Sequence, residues 1–273
     1  MARIFITGSA GGLGRAAVQT LLSGGHEVIV HARTAERLAA VNDPIDLGAS
    51  AVVGDLADLN QTRAVADQVN RLRRVDAVIH NAGIYSGPHI LPINIVAPYL
   101  LTALIDRPQR LVYLSSDMHH GGRADVAGLD WSGQRATDSY SDSKLYVTTL
   151  AVAIARMWPG VYSKAVDPGW VPTKMGGPGA PDDLRLGHLT QEWLATSDEP
   201  QARSSGGYWF HQRLRTPHPA VRNTHFQDDL LDALARFTSV PPACGATRRN
   251  LLSCRRRLAS GLELECGLSR GAE

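Results

Sequence analysis

Tyr140 and Lys144, in Tyr140-Ser141-Asp142-Ser143-Lys144, stand four residues apart, one helical turn. On a helix they share a face. A cation held beside a phenol favours the phenolate and draws a pKa that starts near 10 toward the range where a proton exchanges at neutral pH. The pair is therefore a candidate general acid/base device. Seven tyrosines and three lysines (Lys144, Lys164, Lys174) in 273 residues give about 0.08 such pairs by chance. Alone, the pair separates chemistry from an ordinary helix-surface neighbourhood only modestly, and its weight rests on what stands upstream.

Near the N-terminus, Arg3 to Thr7 reads as a short buried strand that runs into Gly8-Ser9-Ala10-Gly11-Gly12-Leu13-Gly14 and then a helical stretch from Arg15 to Leu22. Strand, glycine turn and helix form a phosphate-binding arrangement. Glycines let the main chain turn sharply and let a pyrophosphate approach N–H groups at the positive end of a helix. Three spacings are satisfied at once: Gly12, Gly14 and Ala17 as G-x-G-x-x-A, Gly8, Gly11 and Gly14 as G-x-x-G-x-x-G, and Gly8, Gly12 and Gly14 within T-G-x-x-x-G-x-G. A turn that binds nothing is the plainer alternative. The second strand, Glu27 to His31, leads into Ala32-Arg33-Thr34, where a dinucleotide fold presents the group that meets the adenosine ribose. No carboxylate stands there, and the planar cation of Arg33 suits a 2′-phosphate. NADP is expected over NAD, against the plainer reading of Arg33 as the solvated start of a helix over Ala35 to Val41.

Strand and helix keep alternating. Ala51 to Val53, Val75 to Ile79, Leu111 to Leu114 and Val161 to Val166 read as buried strands, and Leu59 to Val69, Ile95 to Ile105 and Ser139 to Met157 as helices. Near-continuous apolar strands separated by helices imply an α/β fold, a doubly wound parallel sheet of the Rossmann type in a single domain. The glycines, Arg33, Asp55, Asn81, Ser116 and Pro168-Gly169 each fall just after a strand, at the sheet edge where such folds bind ligands.

A break in composition falls near residue 240. Residues 241–273 carry six arginines and three glutamates, and all three cysteines (Cys244, Cys254, Cys266). The expectation is a domain over residues 1–240 followed by a basic, poorly ordered tail, with Arg255-Arg256-Arg257 as a nucleic-acid or acidic-partner contact the less favoured reading. No cysteine spacing suits a metal. No charged-then-apolar leader and no apolar run near 18 residues is present, so the chain is expected to be cytoplasmic, without membrane or nucleic-acid partners.

Taken in order, the glycine turn, Asn81-Ala82-Gly83, Ser116 and Tyr-x-x-x-Lys resemble the short-chain dehydrogenase/reductase family from about residue 3 to residue 238. Thr7-Gly8 through Gly14 is similar to the classical T-G-x-x-x-G-x-G turn, Asp55-Leu56 to the adenine contact, and Pro168-Gly169-Trp170-Val171-Pro172-Thr173 to P-G-x-V-x-T, with Thr173 near the nicotinamide amide. Asn94 resembles the helix Asn of the catalytic tetrad. Leu114-Ser115-Ser116-Asp117-Met118-His119-His120-Gly121 with Tyr140 to Leu145 is similar to the retinol-dehydrogenase-like and WW-domain-oxidoreductase-like group. Ser116 matches the catalytic serine, while Ser115 would cap the strand end. Ser116 precedes Tyr140 by 24 residues, longer than the usual family interval, which leaves the intervening loop and the pocket it shapes open.

The resemblance implies catalytic residues Asn94, Ser116, Tyr140 and Lys144. It implies cofactor contacts at Gly8, Ser9, Gly12, Leu13, Gly14, Arg33, Asp55, Leu56, Asn81, Ala82, Gly83, Tyr140, Lys144, Pro168, Gly169, Val171 and Thr173. As hydride passes between NADPH and a carbonyl or alcohol carbon, Tyr140 would exchange the proton, Ser116 would bond the oxygen and Lys144 would hold the ribose and keep the phenol acidic. Asn94 would position a water beyond Lys144. Residues 174–200 fall where the family carries a mobile substrate loop. Trp170 is the foremost pocket candidate among Trp131, Trp170, Trp193, Tyr208 and Trp209, although Tyr208 and Trp209 read more simply as a last core strand. Asp117-His119-His120 lacks a third partner at ligand spacing, and no metal is expected. A homo-oligomer is expected. A non-catalytic NADP-binding regulator and an extended-type nucleotide-sugar epimerase or dehydratase are the alternatives.

Overall fold

In the computed structural model, residues 1–39, 42–135 and 140–242 are described. Eight strands form one sheet: β1 (Arg3–Ile6), β2 (Glu27–Ala32), β3 (Ser50–Val53), β4 (Ala77–His80), β5 (Arg110–Leu114), β6 (Tyr162–Asp167), β7 (Tyr208–Phe210) and β8 (Arg213–Arg215). Their order is β3-β2-β1-β4-β5-β6-β7-β8, with β1 to β7 parallel and β8 antiparallel to β7. The helices are α1 (Gly12–Ser23), α2 (Ala35–Ala39), α3 (Asn42–Asp46), α4 (Leu59–Arg71), α5 (Ala97–Leu104), α6 (Tyr140–Met157), α7 (Leu184–Thr196) and α8 (Thr224–Thr238). α1 packs on α7, α4 on α5 and α6 on α8, covering both faces of the sheet.

Burial explains why the strands read as apolar runs. Ile4 and Ile6 of β1 meet Ala17, Val18 and Leu21 of α1 and Leu194 and Ala195 of α7 in one core cluster. Helix starts are set by side chains that take up free N–H groups: Asp58 accepts from Gln61 N at 2.8 Å before α4, and Asp183 accepts from Leu186 N at 2.9 Å before α7. The strand order reverses between β1 and β4, so the glycine turn after β1 and Asn81 after β4 flank the crevice that this reversal opens.

Three features differ from the sequence reading. The helix expected over Ile95 to Ile105 begins with a π-helical turn, Pro92–Val96, before α5. The last strand does not end the sheet, because β8 folds back on it through His211 and Gln212, both with positive φ. α8 was not foreseen, although Phe226, Leu230, Leu231 and Leu234 form a buried face opposite the exposed Asp228, Asp229 and Asp232. Residues Met1–Pro242 form one compact unit, whereas the tail from residue 243 onward, Val41 and Ser139 lie outside the described residues. No helix among the described residues is long and apolar enough to cross a membrane.

Candidate active site

The glycine turn is built to be approached closely. Gly8 has φ +63°, and a Cβ there would lie 2.9 Å from Ala82 Cα; one at Gly14 would lie 2.5 Å from Asn81 Nδ2 and 2.8 Å from Gly8 O. Asn81 explains the tightness, since its Nδ2 donates to Thr7 O at 2.9 Å and Gly8 O at 3.2 Å. Ala82 N donates to Thr7 Oγ1 at 3.0 Å. The first turn of α1 carries no acidic side chain, so its free N–H groups face no built-in anion. Gly12 backs onto Thr173, whose Cγ2 lies 3.5 Å from a Cβ built there.

Sequence reasoning placed Ser9 at the cofactor, but its hydroxyl is turned inward. It donates to Ile6 O at 3.0 Å and accepts from His31 N at 2.7 Å, and Ser9 N donates to His31 O at 3.1 Å. His31 was missed. Its Nδ1 accepts from Gly8 N at 3.0 Å and its Nε2 donates to Gly54 O at 2.9 Å, which fixes the neutral tautomer. Burial pushes its pKa below the ordinary histidine value. Arg33 stands exposed just past β2 and forms no ion pair among the described residues. Asp55, after β3, accepts from Ala57 N at 2.9 Å, and its own N–H donates to Gln61 Oε1 at 2.9 Å; Leu56 beside it is buried.

A second group of side chains gathers at the carboxyl ends of β5 and β6. Ser115 is buried, and its hydroxyl meets Thr148 Oγ1 at 2.5 Å, tying β5 to α6. Ser116 is the outward one of the two and lines the same cleft as the Tyr140 phenol, whose pKa it draws down. Lys144 extends under Tyr140, its Nζ 5.4 Å from the ring centre, and donates to Leu114 O at 2.7 Å. A Cβ at Gly83 would lie 3.6 Å from that Nζ. Asn94 is buried in the π-helical turn; it exchanges hydrogen bonds with the Ile84 backbone and donates to Ser143 Oγ at 2.9 Å. Ser143 Oγ in turn donates to Tyr140 O at 2.7 Å, so Asn94 holds the first turn of α6 in place.

The electrostatics depart from expectation. Burial, before any other influence, pushes the Tyr140 phenol up to about 12, and the nearby Ser116 hydroxyl only partly offsets it. Burial also lowers Lys144 to about 8. Without ligand, desolvation outweighs the attraction between phenolate and ammonium. Asp167, at the end of β6, is a buried carboxylate in the same wall; it accepts from Gly169 N at 2.9 Å and from the Tyr208 hydroxyl at 3.3 Å.

Ser115, Ser116, Tyr140 and Asp167 line a cleft of about 1190 Å³ together with Leu13, Pro168, Gly169, Val171 and Thr173, while Lys144 and Asn94 lie behind its surface. Its mouth is apolar. Tyr85, Met118, Trp170, Met175 and Leu214 all line it, and all five are among the exposed large hydrophobic side chains. Trp170 is pinned by Nε1 donating to Gly176 O at 2.8 Å and its N–H donating to Asp182 Oδ2 at 2.6 Å. Tyr208 lines the cleft as well, but Trp131 packs on Tyr146, and Trp193 and Trp209 pack edge to face, away from it. The proposed substrate loop divides: Met175, Gly176 and Asp182 reach the cleft, whereas α7 belongs to the core. Phe210, Leu214, Arg215 and Thr216 of the β7–β8 hairpin supply the wall that sequence reasoning missed.

The long Ser116–Tyr140 interval is anchored to α6 by Arg123 on Asp142 at 3.0 Å and by Tyr146 donating to Asp125 O at 2.7 Å. His119 is structural: Nδ1 donates to Ser116 O at 2.8 Å and Nε2 accepts from His218 N at 3.0 Å. Among the described residues no three His, Cys, Asp or Glu side chains converge on a common point suited to a metal ion.

A family model described as short chain dehydrogenase matches residues 2–97. An uncharacterised oxidoreductase of Emericella nidulans is 36% identical over 246 residues, covering 85% of this chain and 94% of that protein. Short-chain dehydrogenase chyC of Penicillium rubens is 33% identical over 254 residues, covering 88% and 98%. Retinol dehydrogenase 13 of Homo sapiens is 27% identical over 198 residues, covering 63% and 60%. Among solved structures, a protein from Mycobacterium Paratuberculosis superposes with a TM-score of 0.72 at 23% identity, covering 89% of this chain and 95% of that one. A blue fluorescent protein from a metagenomic library in complex with NADPH gives 0.61 at 22% identity, covering 77% and 95%. The structures speak for the fold, and the fungal relatives, matched over nearly their whole length, establish that this chain belongs to the short-chain dehydrogenase/reductase family, as an oxidoreductase.

Proposed function

We propose that the protein is an NADP-dependent oxidoreductase that interconverts an apolar carbonyl compound and its secondary or primary alcohol, with Tyr140 as general acid/base. The observation that carries this reading is that Ser116 and Tyr140 line one cleft together with Leu13 of the glycine turn and Thr173. The cradle fits a dinucleotide: Gly8 and Gly14 leave no room for a Cβ, and α1 presents no carboxylate at its start. Exposed, unpaired Arg33 favours a 2′-phosphate over a bare ribose hydroxyl. Asp55-Leu56 and Asn81-Ala82-Gly83 are assigned to the adenosine side, and Pro168 to Thr173 to the nicotinamide side.

NADP, when bound, supplies the hydride and, in its oxidised form, a positive charge that favours the phenolate. The chain supplies the rest. Ser116 bonds the substrate oxygen beside Tyr140, whose O–H breaks as that oxygen takes its proton. Lys144, lowered to about 8, is poised to pass a proton onward at slightly alkaline pH. Tyr85, tilted over Tyr140 with ring centres 4.9 Å apart, and Trp170 shield the reaction from water.

A screen of aldehydes, ketones and alcohols with NADP(H) and NAD(H), followed by the absorbance of reduced nicotinamide, tests the reading. Activity is expected with NADPH and an apolar carbonyl, and Tyr140→Phe is expected to abolish it. Carbonyl-dependent NADPH oxidation that survives in that variant overturns the assignment.

A further inference from the structure

We propose that Asp167 is a positioning residue of the proton-transfer site, whose carboxylate, fixed at the carboxyl end of β6, keeps Lys144 cationic and Tyr140 in its phenol form. This rests on Tyr140 as the proton-exchanging group. The placement comes from the sheet. Leu114 of β5 is paired with Val166 of β6, and Ser115 N donates to Val166 O at 2.6 Å. Asp167, one residue on, therefore stands beside the serine pair that follows β5, while Lys144 donates to the carbonyl of Leu114 on the neighbouring strand. The carboxylate is 6% exposed and opens onto the cleft.

Groups on every neighbouring element bear on it. From β7, the Tyr208 hydroxyl donates at 3.3 Å; from the segment after β6, Gly169 N donates at 2.9 Å. From the turn after β5, the Asp117 N–H favours its charged form, although the Asp117 carboxylate disfavours it. From α6, Tyr140 and Lys144 feel its charge, which raises both. His119 and His120 stack toward Tyr208, with ring centres 4.5 and 6.4 Å away, and stand behind that tyrosine. Burial raises the Asp167 carboxyl itself above its ordinary value, and the bonds from Gly169 N and the Tyr208 hydroxyl favour its charged form. A fixed negative charge there disfavours a second one on Tyr140 and favours the positive one on Lys144. In reduction the Tyr140 O–H bond breaks and the carbonyl oxygen gains that proton as its carbon gains hydride. In oxidation the phenolate must form first, so Asp167 moves the acid limb of alcohol oxidation to higher pH and lets reduction persist at alkaline pH.

The chain has three lysines, so a pH titration of the full chain with 13Cε-labelled lysine resolves Lys144, assigned by Lys144→Arg. Its midpoint is expected to drop by about one unit in Asp167→Asn, and to stay in place in Asp167→Glu. Asp167→Ser gives a second neutral side chain should the amide variant fail to fold. A Lys144 midpoint that is unmoved in the folded neutral variants overturns the proposal. Tyr140→Phe, assayed for carbonyl-dependent NADPH oxidation, separates the two levels. Retained activity there overturns the acid/base reading and this proposal with it, whereas lost activity with an unmoved Lys144 overturns the proposal alone.

Discussion

His31 accepts the amide proton of Gly8 at 3.0 Å, so a buried imidazole at the end of β2 holds the first glycine of the turn before α1. Its other nitrogen donates to Gly54 after β3, which links three strand ends through one ring. Replacing it by alanine orphans the Gly8 N–H and the Gly54 carbonyl. His31→Ala is expected to weaken NADPH binding about tenfold, measured by quenching or transfer fluorescence, while the pH profile of turnover is unchanged.

Histidines also set the acid limit of stability. Burial lowers His31, takes His119 to about 4, and takes His80, which stacks on Tyr113, to about 3. A group whose folded pKa is depressed below its unfolded value binds its proton more readily when unfolded, so stability falls as pH drops below about 6.5. His80 alone is expected to remove about 2 kcal/mol between pH 6.5 and 5. Urea midpoints at pH 7.5, 6 and 5 check this, and a His80→Phe variant is expected to flatten the decline.

The two adjacent serines separate by role. Ser116→Ala is expected to lower kcat by about 100-fold with little change in melting temperature. Ser115→Ala breaks the buried contact with Thr148 and is expected to lower stability by about 1 kcal/mol while preserving kcat. Steady-state kinetics and thermal unfolding on both variants distinguish these outcomes, and a swapped result would exchange the assignments.

Two glycines of the turn are expected to differ sharply. Gly14→Ala drives a methyl into Asn81 and the Gly8 carbonyl, whereas a Cβ at Gly11 meets nothing within 4 Å. Thermal unfolding without cofactor is expected to be lowered by several degrees in Gly14→Ala and unchanged in Gly11→Ala.

Cofactor choice is tested at Arg33. Arg33→Asp is expected to raise the KM for NADPH by about 100-fold and to improve the use of NADH. An unaltered ratio of the two cofactors would remove Arg33 from the 2′-phosphate site.

Much of this was legible because parallel strands are apolar on both faces and their ends carry the functional groups. Ile4-Phe5-Ile6 and Leu111 to Leu114 announced strands, and Gly8 to Gly14, Asn81 and Ser116 followed them directly. Asp167 and His31 were equally placed, at strand ends, yet polar residues there were counted only when they fitted a motif. The engagement of the Ser9 hydroxyl with His31, a partner 22 residues away, could not be seen from the motif alone. The Tyr140–Lys144 spacing says nothing of desolvation, which dominates once both groups are covered, so the pair by itself does not lower the phenol without the charge of an oxidised nicotinamide. The β7–β8 hairpin escaped notice because His211 and Gln212 take left-handed conformations that sequence reasoning reserves for Gly and Asn.

That hairpin also governs how the molecule meets its own kind. A parallel sheet ending at β7 would offer the apolar, aromatic segment Tyr208-Trp209-Phe210 as a template for a foreign strand. β8 occupies those hydrogen-bonding positions and replaces the template with three exposed residues, Arg213, Leu214 and Arg215. Short length and paired positive charges repel an incoming copy. Because Phe210, Leu214 and Arg215 face the cleft as well, substitutions that reshape substrate choice from this wall draw on the same residues that keep one edge of the sheet closed to aggregation.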